Sequence, residues 1–114
     1  MQNCLFCKIV RGEIPADKVY EDERVMAFLD INPQAPVHLL VIPRRHLVCL
    51  ADATAEDAAL LGHIQCVIAE LAHTHGFADA GFRVVNNCNE DGGQEVEHIH
   101  YHVLAGRRMQ WPPG

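Results

Sequence analysis

Glu97-His98-Ile99-His100-Tyr101-His102-Val103-Leu104 is the stretch from which the rest of the chain is read. Three histidines alternate with apolar residues, and a repeat of two is that of a β-strand, whose successive side chains point to opposite faces. An extended strand here sets the histidines on one face, with neighbours roughly 6.5–7 Å apart. Ile99, Tyr101 and Val103 then face a core. A merely polar outer face usually carries Lys, Glu and Thr instead. A metal held by the three histidines alone meets a geometric obstacle, because a flat strand does not wrap alternate side chains around one ion. The remaining reading is nucleophilic or acid–base chemistry on a carbonyl or phosphoryl group, for which imidazole, titrating near neutrality, is suited.

The preceding turn favours phosphorus. Asn87-Cys88-Asn89-Glu90-Asp91-Gly92-Gly93-Gln94 is polar, and its glycine pair lets the backbone approach a ligand closely. Its amide N–H groups are the kind that cradle phosphate oxygens. The side chains of Asn87 and Gln94 add further donors. A glycine pair alone usually just turns the chain, and it is the following His-x-His-x-His that makes the pattern specific.

With 114 residues there is room for one domain, 1–114. The hydrophobic fraction of 49% describes a globular chain. A formal net charge of −6 opposes general nucleic-acid binding, which needs a basic face. It leaves room for a single bound nucleotide, since a local pocket can oppose the global charge. Cys4, Cys7, Cys49, Cys66 and Cys88 are odd in number. The opening Met1-Gln2-Asn3-Cys4 has no basic region followed by an apolar run, so a reducing, cytoplasmic setting is expected. No run approaches the ~18 apolar residues of a membrane span.

Taken in order, Cys4-Leu5-Phe6-Cys7-Lys8-Ile9-Val10-Arg11 reads as a short helical turn ended by Gly12. Its two thiols can converge on one zinc ion, which needs two more ligands, and His46 and His98 are candidates. The competing reading is two reduced thiols packed as small hydrophobes. Lys18 to Asp22 and Val25 to Asp30 form a hairpin turning at Glu23-Arg24, followed by the proline-bracketed Ile31-Asn32-Pro33-Gln34-Ala35-Pro36. Val37 to Ile42, stopped by Pro43, is a central strand. His38 interrupts it, and a histidine in a buried strand is usually a satisfied core residue. Arg44-Arg45 reads as a solvated loop. Thr54 caps a helix whose stripe is Leu60, Ile64, Val67, Ile68 and Leu71, ending near Gly76. Cys66 is expected in the core, and His63, His73 and His75 at surface or cap positions. Gly81 to Asn86 is the next strand and delivers Asn87 to the glycine turn. Five strands and one main helix make an α+β meander.

Gly92-Gly93-Gln94, the run His98 to Leu104, Gly106-Arg107 and the tail Met109-Gln110-Trp111-Pro112-Pro113-Gly114 resemble the histidine-triad (HIT) superfamily. The match is to its Hint branch, the histidine-triad nucleotide-binding proteins. The likeness extends to Phe6-Cys7-Lys8-Ile9, Glu13-Ile14-Pro15-Ala16, Phe28 to Pro36 and Val41-Ile42-Pro43, nearly the whole chain. It implies a HIT-like fold, a five-stranded antiparallel sheet with one long and one short helix, in which a homodimer joins two sheets into one. It implies hydrolysis of adenosine or guanosine 5′-phosphoramidates through a nucleotidyl-histidine. His100 would be the nucleophile and His102 a donor to the phosphate and the leaving amine, with His98 and His38 orienting the imidazoles. Ile14, Phe28 and Ile31 would enclose the base, Asp30 would hold the ribose, and Asn87 and Gln94 would contact the phosphate. Some members carry zinc on a Cys, Cys, His, His set, which maps here to Cys4, Cys7, His46 and His98. If His98 binds zinc, it supports the site and carries no proton. Glu95 departs from relatives that have serine near the leaving group, and it either favours an amine or points to solvent. The rival readings are a dinucleoside polyphosphate hydrolase, against which the Trp-Pro-Pro-Gly tail argues, a non-enzymatic nucleotide-binding regulator, and a zinc-structured interaction module.

Overall fold

The computed structural model describes residues 3–114. Met1 and Gln2, part of the opening read above for a leader, lie outside them. The order is α1 (Leu5–Val10), β1 (Lys18–Glu21), β2 (Val25–Leu29), β3 (Val37–Pro43), α2 (Ala58–Thr74), β4 (Phe82–Asn86) and β5 (Tyr101–Ala105). Two 3-10 turns, Leu50–Asp52 and Ala55–Asp57, precede α2. The strands form one antiparallel sheet in the order β1-β2-β3-β5-β4. The expected five-stranded α+β fold with one long and one short helix is therefore the observed one.

Alternation along the strands sorts the side chains into two layers. Val25, Ala27, Leu39, Val41, Tyr101, Val103 and Ala105 pack with Ile64, Val67, Ile68 and Leu71 of α2. On the other face Met26, Phe28, Leu40 and Ile42 pack with Phe6 and Ile9 of α1. Each buried Val, Leu, Ile, Phe and Met side chain among these contributes roughly 1.5–3 kcal/mol. His38 and His102 fall between α2-facing residues, so strand parity sends them to the α1 face. The site is built there.

The ends of α2 follow local chemistry. Thr54 and Asp57 form a reciprocal capping box, but it caps the 3-10 turn Ala55–Asp57 that leads into the helix. Past His75, Gly76 takes a left-handed φ of +79°. Cys66 corrects one expectation: it is exposed on α2, because Ile64, Val67, Ile68 and Leu71 fill the buried stripe and leave it on the opposite side. His63 ties α2 to the first hairpin through Asp22, Nε2 to Oδ2 at 2.6 Å. The same carboxylate accepts from the Tyr20 hydroxyl at 2.7 Å and from the Arg24 and Val25 amides at 2.7 and 2.8 Å.

Candidate active site

The histidine stretch bends at Glu97 and His98, and ladder pairing begins only at Tyr101. This corrects the expectation of a strand running from His98. Ile99 leaves the sheet register and donates its N–H to the Leu47 carbonyl at 2.6 Å, joining the lead-in to the loop after β3. The alternation of faces survives, since Ile99, Tyr101 and Val103 all enter the α2-side core. The histidines nevertheless do not stand in a row. The His100 and His102 rings lie 5.1 Å apart, whereas His98 is turned toward α1.

Two backbone groups assign the imidazole protons of the cleft. The Gln34 N–H donates to His38 Nδ1 at 3.0 Å, so the neutral His38 ring carries its proton on Nε2. That Nε2 lies 2.9 Å from His102 Nδ1 and 3.4 Å from Asp30 Oδ2. His102 Nδ1 therefore accepts, and His102 holds its own proton on Nε2. His100 Nδ1 lies 2.8 Å from the His98 carbonyl, which only accepts, so His100 donates there and keeps the Nε2 lone pair free. One ring offers a lone pair and its neighbour an N–H. Burial pushes His102 down to about 4 and also lowers His38, with Asp30 opposing in both cases. Both rings are thus neutral at pH 7, as the relay requires.

Asp30, His38 and His102 form a cluster of ligand-type atoms within 4.8 Å of one another. The Gln34 N–H rules it out as a metal site, because it forces onto His38 Nε2 the proton that would occupy the coordinating lone pair. The cluster is a hydrogen-bond relay.

These groups line a cleft of about 370 Å³ together with Phe6, Asn32, Gln34, Leu40, Asn87, Gly93, Glu95 and Val96. Of the expected site residues, His38, His100, His102, Asp30, Asn87 and Glu95 meet there. Asp30 Oδ1 accepts from the Asn32 amide at 2.8 Å, which fixes the carboxylate at the cleft. Asn87 Nδ2 donates to the Gly92 carbonyl at 2.6 Å. Gln94 sits behind the turn as a brace, its amide spanning the carbonyls of Val48 and Val96 at 2.7 and 2.9 Å and the Asn89 N–H at 2.8 Å. Phe28 is buried in the α1-side core with Ile14 packed against it, and Ile31 is fully exposed. Phe6, Asn32, Gln34, Leu40 and Val96 were not singled out from the sequence. Phe6 sets its ring edge-on to His100, with centroids 5.2 Å apart. Gln34 acts through its backbone, which leaves no side-chain signal.

His98 belongs to a second cluster. Its Nδ1 lies 3.3 Å from Cys4 Sγ and 3.6 Å from Cys7 Sγ, and His46 Nδ1 lies 3.3 Å from Cys7 Sγ. All four ligand atoms are within 4.8 Å of one another. His98 Nε2 donates to the Pro43 carbonyl at 2.8 Å, which aims the Nδ1 lone pair at the thiols. Two sulfurs, two imidazole nitrogens and a carbonyl behind one of them make a set able to hold a tetrahedral ion. Burial raises the Cys7 thiol pKa, and the neighbouring Cys4 raises it further; a bound divalent cation reverses that balance by favouring thiolates. Both His98 nitrogens point away from the cleft.

A sheet with a histidine relay on one face, a glycine turn at its edge and a trailing Gly-Arg is the architecture of a histidine-triad protein. The chain belongs to the HIT domain family, whose model matches residues 11–109. It is 50% identical over 113 residues to an uncharacterized HIT-like protein of Synechococcus elongatus, covering 99% of this chain and 98% of that one. Its fold superposes on a HIT family hydrolase from Legionella pneumophila with a TM-score of 0.97 and 53% identity, covering 98% of this chain and all of the other. A histidine triad protein from Clostridium difficile gives 0.94 and 52%, covering 96% of each chain.

Proposed function

We propose that the protein is a purine nucleoside phosphoramidase with a histidine nucleophile. The observation that carries this reading is the proton arrangement of the relay: a free lone pair on His100 Nε2 beside an N–H on His102 Nε2, in one cleft. His100 Nε2 attacks the α-phosphorus of an adenosine or guanosine 5′-phosphoramidate. A P–N bond to His100 forms as the P–N bond to the amine breaks. The imidazole keeps its Nδ1–H on the His98 carbonyl and so becomes cationic, which makes it a good leaving group for the second step. His102 donates a hydrogen bond from Nε2–H to a phosphate oxygen, and the departing amine takes its proton from solvent water at the cleft. Asn87 and the amides of the glycine turn oppose the charge that develops on phosphorus. Water then cleaves the nucleotidyl-histidine to nucleoside monophosphate. Asp30 holds the ribose hydroxyls, Ile14, Phe28 and Ile31 the base, Gln94 supports the phosphate turn, and Glu95 faces the leaving amine.

Zinc is the ion whose preferences Cys4, Cys7, His46 and His98 satisfy. Its part is structural, fixing α1 and the His98 backbone whose carbonyl holds His100. The single domain acts as a homodimer in the cytoplasm, without nucleic acid or membrane.

The test is a fluorogenic adenosine phosphoramidate, with a diadenosine polyphosphate as competitor. Release of amine and AMP, with acid-labile nucleotidyl-protein trapped on rapid quench, is expected. Preferential cleavage of the polyphosphate, or turnover with no trapped intermediate in a His100→Ala protein, would overturn the reading.

A further inference from the structure

Two thiols that the mechanism leaves unused lie against the catalytic turn. Cys49 is buried and opens the 3-10 turn Leu50–Asp52, while Cys88 is half-buried directly after Asn87. Burial raises the pKa of the Cys49 thiol, and the neighbouring Cys88 side chain raises it further. The surrounding backbone keeps the two segments together. Ile99 donates to the Leu47 carbonyl at 2.6 Å, and Gln94 links the Val48 carbonyl to the Asn89 N–H at 2.7 and 2.8 Å. Residues 47–48 are thus tied to positions on the same loop as Cys88, one of them its immediate neighbour. Cys4 and Cys7 belong to the cluster around His98, and Cys66 stands exposed on α2.

We propose that Cys49 and Cys88 form a reversible disulfide that makes the active-site turn sensitive to oxidation. The oxidant is a low-molecular-weight disulfide such as oxidised glutathione. Cys88, the more exposed thiol, gives its proton to solvent and attacks one glutathione sulfur, expelling a glutathione thiolate. Cys49 then loses its proton and attacks Sγ of Cys88, expelling the second. Two protein thiols and one glutathione disulfide become one protein disulfide and two glutathione thiols.

Closure reaches the cleft because the turn rests on Cys88. A Cβ added at Gly92 would meet the Cys88 carbonyl oxygen and lie 2.7 Å from its nitrogen, so the two backbones are in direct contact. Asn87 is bonded to the Gly92 carbonyl, and Asn87 and Gly93 both line the cleft. Drawing the Cys88 sulfur to a bond length of about 2.05 Å from Cys49 shifts this turn relative to His100. The effect on turnover rests on the reading under Proposed function; the disulfide itself does not.

The experiment treats the full chain with oxidised glutathione and maps peptides without reduction. A linked Cys49–Cys88 peptide is expected, reversed by dithiothreitol and absent in Cys88→Ser. Cys49→Ser should stop at glutathionylated Cys88. Hydrogen exchange over residues 87–94 should change on oxidation of the parent and stay unchanged in Cys88→Ser. Phosphoramidate turnover should fall at least tenfold and recover on reduction. A map with Cys88 glutathionylated but never linked to Cys49 overturns the proposal, and so does a linked protein with unchanged exchange. A reduced protein inactive on the phosphoramidate overturns the functional reading alone, since the map and the exchange need no activity.

Discussion

His100 and His102 are chemically the same residue type two positions apart, and their hydrogen-bond partners leave a lone pair on Nε2 of one and a proton on Nε2 of the other. His100 is held by the carbonyl of its own segment, and His102 by a ring from β3 that is itself set by the Gln34 amide. Replacing His100 with Ala should leave the fold intact and nucleoside monophosphate binding near the parent value. Turnover should drop by about three orders of magnitude or more, as for other nucleophiles that act within a unit. Parallel calorimetric titration and hydrolysis assays separate the two effects. His102→Ala should cost less, because the attacking atom remains. The same burial makes a pH prediction. His102 and His38 bind protons less readily folded than unfolded, so between about 6.5 and about 4 the unfolded chain takes up more protons. Stability contributed by these neutral rings is complete above about pH 6.5 and is lost as pH falls toward 4. Urea midpoints measured at pH 7.5, 6 and 5 should decline in that order, and a flat series would contradict the assigned protonation.

At the scale of elements, α1 has six residues, well below the length at which an isolated helix is stable. Its anchors are Phe6 and Ile9 in the α1-side core and Cys4 and Cys7 beside His46 and His98. Chelation of zinc-loaded protein should therefore speed amide exchange at Lys8 and Arg11 and lower the melting temperature by several degrees, with far smaller change in the sheet. Exchange mass spectrometry with and without chelator checks it. At the far end of β5, Gly106 has φ +92°, and a Cβ there would lie 2.7 Å from Pro36 Cβ. Gly106→Ala should destabilise by about 1–3 kcal/mol, read as a shifted denaturant midpoint. Because Pro36 belongs to the loop that carries Gln34, and Arg107 also bonds the Gln34 carbonyl, the His38 relay should loosen with it. A drop in turnover larger than the change in stability explains would reveal that coupling.

For the whole molecule, the sheet ends in β4, an edge strand with Phe82 and Val84 both 38% exposed, and the tail leaves Trp111 82% exposed. An open, partly apolar edge is a pairing surface, and an uncovered Trp forgoes a few kcal/mol of burial. A homodimer at micromolar concentration by light scattering is expected, with Val84→Lys shifting it toward monomer. Among the described residues no helix is long and apolar enough to cross a membrane. The order of strands and helices, the two-faced sheet and the histidines at its α1 face follow from periods of two and 3.6, which local sequence carries directly. So does the Cys-x-x-Cys of α1, although its partners His46 and His98 rested on a family resemblance. Cys66 was misplaced although the same period fixes its angle: two residues past Ile64, it lies about 200° round the helix, off the buried stripe. Pairing of β5 only from Tyr101, the turn of His98 away from the cleft and the protons of His38 and His102 were decided by tertiary structure alone. Each depends on a backbone group brought from elsewhere in the chain — Leu47, Pro43, Gln34 — and a main-chain carbonyl or amide has no letter in the sequence to mark where it will be needed.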